Sequence, residues 1–246
     1  MKEKCGRYVL AAMCLISTSA FSSNLADTVV NVGDETGYSA FASGKTVAAI
    51  HQGNCNYSMV LLENQYVKFN TPDVVFLESN TKPTDNSWPY LEQAEMSAGY
   101  DWSFKKNGDP KSKWFGLMCD GIEDFDLQGS PVSIDSENIS PELQDIKQAN
   151  SLKCPATLTA SGWVPTKNAG RPEEYIFQQL TGTDWSGFMF GFKNRDKDSF
   201  ARISFCLVQG NNVLIGAAGN GSKQLSLDHK ILDEIKMTLE SVKFPQ

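Results

Sequence analysis

The chain has 246 residues, a formal net charge of −7 and only two histidines. Its acidity disfavours binding to nucleic acid or to an anionic membrane surface, both of which repel a negative protein. Beyond the N-terminal segment, no stretch approaches the ~18 uninterrupted apolar residues of a membrane-spanning helix, so we expect a soluble protein without stable membrane insertion.

The N-terminus has the pattern of a secretory signal peptide. A short basic stretch is followed by the nearly apolar residues 8–21, and Thr18 and Ala20 occupy the small-residue positions before a cleavage site. This apolar run is too short for an ordinary transmembrane helix. A buried N-terminal helix and a lipid anchor at Cys14 are alternatives, although Met13 stands where lipidation requires a small residue.

Removal of residues 1–20 as a signal peptide changes the net charge to −9 and leaves four of the six cysteines. An even number of cysteines in an exported protein predicts two disulfides. Structural zinc is the alternative, but its ligands usually come in closely spaced pairs, and no two of these cysteines are closer than 35 residues. We therefore expect a periplasmic protein, with secretion to the medium as the alternative. The four cysteines are Cys55, Cys119, Cys154 and Cys206.

Short runs of β-branched and aromatic residues predict strands along the mature chain. Four of them, separated by turn residues, predict an antiparallel meander: residues 46–50, 59–62, 66–69 and 74–77. Three later runs with Gly- and Asn-rich or charged separators predict two successive hairpins: residues 187–192, 201–208 and 213–217.

Three helices are predicted among these strands. Apolar residues recur at helical spacing over residues 231–242, and Asp228 or Ser226 can cap the start of this amphipathic helix. A shorter helix begins after Ser140, with proline at its first position, and is expected to bury Leu143 and Ile146. The third prediction covers residues 87–98.

The spacing of cysteines and helices suggests an internal repeat. Cys119 and Cys206 both lie in strand-like runs, with a helix beginning 21 and 22 residues later, and each has an earlier cysteine 64 or 52 residues before it. We therefore predict an α+β fold of two similar small units, residues 27–150 and 151–246. Each unit would have an antiparallel sheet, one or two packed helices and an internal disulfide, Cys55–Cys119 or Cys154–Cys206. A chance coincidence and the other two cysteine pairings stay open.

No pattern of catalytic, cofactor-binding or metal-ligating residues is recognisable, so we expect neither an enzyme nor a cofactor. His51 and His229 are not spaced with other metal ligands. The acidic residues 120–126 lack the dense alternation of oxygen ligands in a calcium loop. Aromatic residues around residues 87–98 either close the core or offer a recognition surface: Trp88, Tyr90, Tyr100 and Trp102.

The signal peptide, the acidity and the two cysteine pairs together resemble the periplasmic immunity proteins that neutralise toxic effectors of bacterial type VI secretion. The resemblance covers the whole chain as a profile and includes no specific motif. It implies an inhibitor that acts through protein–protein interaction, occluding the active site of a lipase or peptidoglycan-cleaving effector. A periplasmic hydrolase without a recognised motif and an envelope ligand-binding module are the alternatives.

Two segments are predicted to contact such a partner because both carry charged groups near turns. They are the acidic segment, residues 120–126, and the loop at residues 165–174, which contains two prolines and mixed charge. The predicted contact residues are Asp120, Glu123, Asp124, Asp126, Lys167, Arg171 and Glu173.

Overall fold

The computed structural model describes residues 28–34, 38–96, 99–109, 111–127, 140–195, 198–219 and 227–245; the predicted signal peptide lies outside them. Two α-helices occur in these ranges, α1 (Pro141–Lys153) and α2 (His229–Glu240). The strands are β1 (Thr28–Gly33), β2 (Phe41–Ser43), β3 (Thr46–Gln52), β4 (Cys55–Leu61), β5 (Gln65–Phe69), β6 (Val74–Glu78), β7 (Tyr90–Met96), β8 (Gly99–Lys105), β9 (Trp114–Gly121), β10 (Ala156–Thr159), β11 (Gly162–Pro165), β12 (Tyr175–Thr181), β13 (Ser186–Lys193), β14 (Phe200–Gln209) and β15 (Asn212–Ala218).

The fold is mostly β, and the prediction of two similar α+β units is wrong. Strands from both sides of the expected boundary at residue 150 form one eight-stranded sheet, in the order β12-β13-β14-β15-β9-β6-β5-β2. The two halves meet where β15 pairs with β9, from Asn212 opposite Gly121 to Ala217 opposite Gly116. Each half would otherwise leave a row of unpaired backbone groups at this edge, and pairing the two edges satisfies both.

The four strands of the predicted meander are present as β3 to β6, but they do not form one meander. β3 pairs with β4 and β5 pairs with β6, whereas β4 and β5 belong to different sheets. A separate three-stranded sheet has the order β1-β3-β4, with β1 parallel to β3. The two hairpins formed by β13, β14 and β15 are confirmed as antiparallel pairs.

Two of the three predicted helices are present. α2 begins after Asp228, whose side chain accepts a hydrogen bond from the Ile231 backbone, and it buries its apolar face. α1 begins after Ser140, which caps it in the same way. Ser87 ends a short 3₁₀ turn, and residues 90–96 are β7, which pairs along its length with β8, so the described part of this segment holds no α-helix. Ladder pairing with β8 overrides the local helix preference of this segment.

One face of the central sheet packs against the three-stranded sheet and α2. Directly opposite residues on neighbouring strands share a face, and the register places Cys119 and Gly191 on the same one. Cys119 is bonded to Cys55 of β4. A Cβ atom added at Gly191 would lie 3.2 Å from Leu232 of α2, so this helix lies closely against the sheet.

The opposite face carries the two-stranded sheets β7-β8 and β10-β11 and the helix α1. Phe104 of β8 covers Gly116, where an added Cβ would lie 2.0 Å from the phenyl ring. Trp163 of β11 packs on Phe188 with a centroid distance of 5.1 Å. Cys206 on this face is bonded to Cys154, which follows α1. The prediction of two disulfides is thus confirmed, and each bond ties an outer layer to the central sheet.

Candidate partner-binding site

The acidic segment is anchored to the protein by its apolar residues. Ile122, Phe125 and Leu127 are at most 5% exposed, and residues 122–124 form a 3₁₀ turn directly after β9. Of the four acidic side chains of the segment, Glu123 and Asp126 are exposed, whereas Asp120 and Asp124 are only half-exposed. The segment therefore presents two of its four carboxylates fully to solvent.

A buried side chain of α1 holds the other two acidic residues in place. Asn150 is 5% exposed, and its amide nitrogen lies 3.0 Å from the backbone oxygen of Asp124 and 3.4 Å from Oδ2 of Asp120. Burial, together with a hydrogen bond and the negative charge of Asp124, raises the pKa of Asp120 to about 7. The backbone N–H of Gly121 and the amide of Asn150 act in the opposite direction. Asp120 therefore keeps its proton up to near neutral pH, well above the range of an ordinary aspartate.

This carboxyl pair makes the stability depend on pH. Between about pH 4, near the ordinary pKa of an aspartate, and pH 7, folded Asp120 binds more protons than it does in the unfolded chain. The free energy of unfolding contributed by this group is therefore present at low pH and is lost as the pH rises through 7. In Asp124→Asn the charge repulsion disappears, so we expect a smaller fall in melting temperature from pH 5 to pH 8.

Asp126→Asn is the matched control, because Asp126 lies on the same segment but is exposed. Its pH profile should follow that of the unmodified protein, measured by thermal unfolding monitored by circular dichroism. An Asp124→Asn profile as steep as that of the unmodified protein would contradict the proposed pair.

The loop at residues 165–174 contains two 3₁₀ turns and is compact. Arg171 forms ion pairs with Glu173 at 3.6 Å and Glu174 at 2.5 Å. The hydrogen bonds and charge of Arg171 lower the pKa of Glu174. The Lys193 side chain donates to the backbone oxygen of Glu173 at 3.3 Å. Lys167, Arg171 and Glu173 are all exposed.

Both segments pack against the C-terminal half of α1. Asn150 contacts the acidic segment, and the hydroxyl of the next residue, Ser151, accepts a hydrogen bond from Asn168 of the loop at 3.2 Å. The structure therefore brings the two predicted segments to one helix. That they bind a partner stays a prediction.

The prediction of which side chains α1 buries was wrong. Ile146 was expected to be buried but is 37% exposed, Leu152 is 51% exposed, and Leu143 is half-buried. Asn150 is the buried residue of the helix. The signal for this surface was present in the sequence, since apolar residues occupy too few positions of α1 to form a continuous stripe.

The remaining candidates lie elsewhere. His51 stacks on Tyr38 with centroids 4.3 Å apart, and its Nδ1 is 3.1 Å from the Asn56 side-chain oxygen. His229 packs edge-on against Phe200. Within the described residues no group of three or more His, Cys, Asp or Glu side chains could hold a metal ion. Among the bracketing aromatic residues, Trp88 and Trp102 are buried and Tyr90 is 41% exposed, while the Tyr100 side chain lies outside those described.

Comparison with protein-family models, with curated proteins and with solved structures finds no match to this chain. In the part of the chain that the structure describes, no helix combines the length and the apolar character needed to cross a membrane.

Proposed function

We propose that this protein is an exported inhibitor that neutralises a toxic secreted enzyme, a lipase or a peptidoglycan-cleaving effector, by covering its active-site cleft. The observation that carries the proposal is the surface formed by α1, the acidic segment and the loop at residues 165–174. We call this the α1 surface. Two disulfides that tie outer layers to the central sheet fit the oxidising periplasm.

The composition of the α1 surface suits contact with another protein. Exposed Ile146 and Leu152 supply apolar area, and α1 and both flanking segments also carry exposed charged residues. Protein interfaces commonly combine apolar and charged side chains. Because the disulfide-tied scaffold positions this surface before binding, little ordering cost is expected on association.

The acidity of the protein supports a basic partner. A net charge of −9 after signal removal attracts a basic enzyme over distances comparable to the Debye length, about 8 Å at physiological salt. Association should therefore slow as salt rises, while dissociation changes little.

Charge reversal at Glu123 and Asp126 tests the proposed surface. Both side chains are exposed, so Glu123→Lys/Asp126→Lys should leave the melting temperature nearly unchanged. The Kd for a toxic enzyme encoded beside the gene should rise tenfold or more, equivalent to about 1.4 kcal/mol. Surface plasmon resonance would measure binding, and hydrolysis of lipid esters or peptidoglycan by the partner would measure inhibition.

The matched control is Glu63→Lys/Asp233→Lys, which reverses two exposed acidic residues, one of them on α2 at the opposite face of the central sheet. It changes the net charge equally and should lower the association rate only slightly. Equal binding by both double variants would show that the contact lies elsewhere. If the purified protein itself hydrolysed lipid esters or peptidoglycan, it would be a hydrolase and the proposal would be wrong.

A further inference from the structure

A polar cleft of about 520 Å³ lies beside the turn between β5 and β6. This volume falls within the range of small-molecule sites, roughly 300–1,000 Å³. The cleft shares no residue with the α1 surface. Six of the side chains that line it carry the argument: Lys68, Asn70, Asp73, Asp85, Trp88 and Tyr90.

The carboxyl group of Asp73 is the unusual feature of this cleft. Asp73 is only 4% exposed, and within the described residues its buried Oδ2 has no hydrogen-bond partner. The Asn70 side chain hydrogen-bonds the carboxyl group, and burial raises its pKa. Leaving a buried polar atom unpaired costs free energy. Because Asp73 lines the cleft, a small rotation of its side chain would let a ligand donate a hydrogen bond to this oxygen and recover the cost.

The charges around the cleft select against an ionic ligand. Lys68 lies on the same wall, and its positive charge acts on Asp73. An anion would face the carboxylates of Asp73 and Asp85, and the charge of Lys68 offsets the attraction of Asp73 for a cation. The best-matched ligand is therefore neutral and carries several hydroxyl groups, which can donate to Asp73 and accept from Lys68.

An aromatic side chain is also available at the cleft. Tyr90 is 41% exposed, so it offers both a ring and a polar tip to a ligand. Trp88 is 6% exposed and is held edge-on by Phe41 and Tyr66, with centroids 5.8 and 6.4 Å away. The Lys68 ammonium lies 5.9 Å from the Trp88 ring centroid. Trp88 therefore forms a rigid wall of the cleft, and its fluorescence can report ligand binding. Tyr90 is the aromatic side chain that a ligand can contact.

We propose that this cleft binds a neutral saccharide, with a sugar hydroxyl donating to the carboxyl group of Asp73 and the apolar face of a sugar ring packing on Tyr90. The combination of an unpaired buried acceptor, a nearby balancing cation and an exposed aromatic ring carries this assignment. It is independent of the proposed inhibitor function, so either can fail without the other.

Titration of the purified mature protein with tri-N-acetylchitotriose and with maltotriose tests the proposal. Saturable changes in tryptophan fluorescence and in amide chemical shifts of residues 68–73 and 88–93 are expected with at least one of them. Spermidine and inorganic phosphate serve as the cationic and anionic probes and should not saturate the site. Saturation by either of these, or none by both saccharides, would overturn the assignment.

Two variants locate the site. Asp73→Asn removes the unpaired acceptor with little change in shape and should weaken saccharide binding tenfold or more. Tyr90→Ala alters an exposed side chain, so it should fold normally and weaken binding about as much. The matched control is Asp184→Asn, at an exposed position outside the cleft, and it should bind as the unmodified protein does. Unchanged affinity in both Asp73→Asn and Tyr90→Ala would show that the saccharide binds elsewhere.

Discussion

Replacing Cys154 and Cys206 together by alanine is expected to lower the free energy of unfolding by about 4 kcal/mol. The bond closes a loop with a sequence separation of 52 residues, and in the chain-entropy model its loss restores this amount of conformational freedom to the unfolded chain. For a protein of this size, about 2–4 °C is lost per kcal/mol. The melting temperature should therefore fall by roughly 8–16 °C, which differential scanning calorimetry under non-reducing conditions would measure.

The second disulfide provides the matched comparison. Cys55 and Cys119 are separated by 64 residues, and the chain-entropy term grows only with the logarithm of the loop length. The corresponding double alanine variant should therefore differ from the first by only about 0.2 kcal/mol through this term. A loss below ~1 kcal/mol in both variants would contradict the role assigned to the bonds, which is to hold outer layers on the central sheet.

Truncation of Phe205 to alanine should have an effect of similar size, about 3–5 kcal/mol. Phe205 lies in the middle of β14 and is fully buried, with its ring edge-on to Phe115 at 5.5 Å. It fills the space above Gly216, where even an added Cβ would lie 2.3 Å from the ring. Removing the ring therefore leaves a cavity between two layers that are tied to one another by Cys55–Cys119. Urea unfolding followed by circular dichroism would measure the loss.

Phe177→Ala is the control for this prediction. Phe177 also contacts aromatic rings, with Phe190 at 4.9 Å, but it lies on the edge strand β12 and is only half-buried. Because neighbouring groups and water can fill the space it leaves, its truncation should cost less than half as much as that of Phe205. Equal losses in the two variants would mean that the packing around Phe205 is not the centre of the core.

The sequence predicted the local structure of this protein because local signals control it. Alternating and β-branched runs marked the strands from β3 to β6 and from β13 to β15. The apolar repeat of α2 and the capping residues Ser140 and Asp228 marked where helices begin. These features depend on backbone preference and on side chains a few residues apart, which a single sequence displays directly.

The disulfide pairing was predicted on a premise that proved wrong. The pairs Cys55–Cys119 and Cys154–Cys206 were inferred from a repeat of two units, whereas the structure has one large sheet that crosses the expected boundary. Each bond joins a peripheral layer to that sheet instead of closing a unit of its own. The spacing of the cysteines predicted the correct disulfide pairs but the wrong architecture.

For the candidate sites too, the sequence indicated individual residues but not which of them lie together. The sequence marked the charged residues of the acidic segment and of the loop at residues 165–174, but not the burial of Asn150, through which α1 binds Asp120 and Asp124. It marked Trp88 and Tyr90 as aromatic, but not their meeting with Asp73 in one cleft. Both arrangements join residues from separate elements of the chain, and nothing in either segment alone specifies its neighbour.

What the tertiary structure alone decided is therefore the pairing of elements. β4 and β5 are consecutive in the chain but belong to different sheets. β9 pairs with β15, which lies about ninety residues later. Backbone N–H and C=O groups are the same at every strand edge, so hydrogen bonding does not distinguish one edge from another. The choice depends on which combination buries the most apolar surface and leaves the fewest unpaired backbone groups, and that is a property of the whole chain.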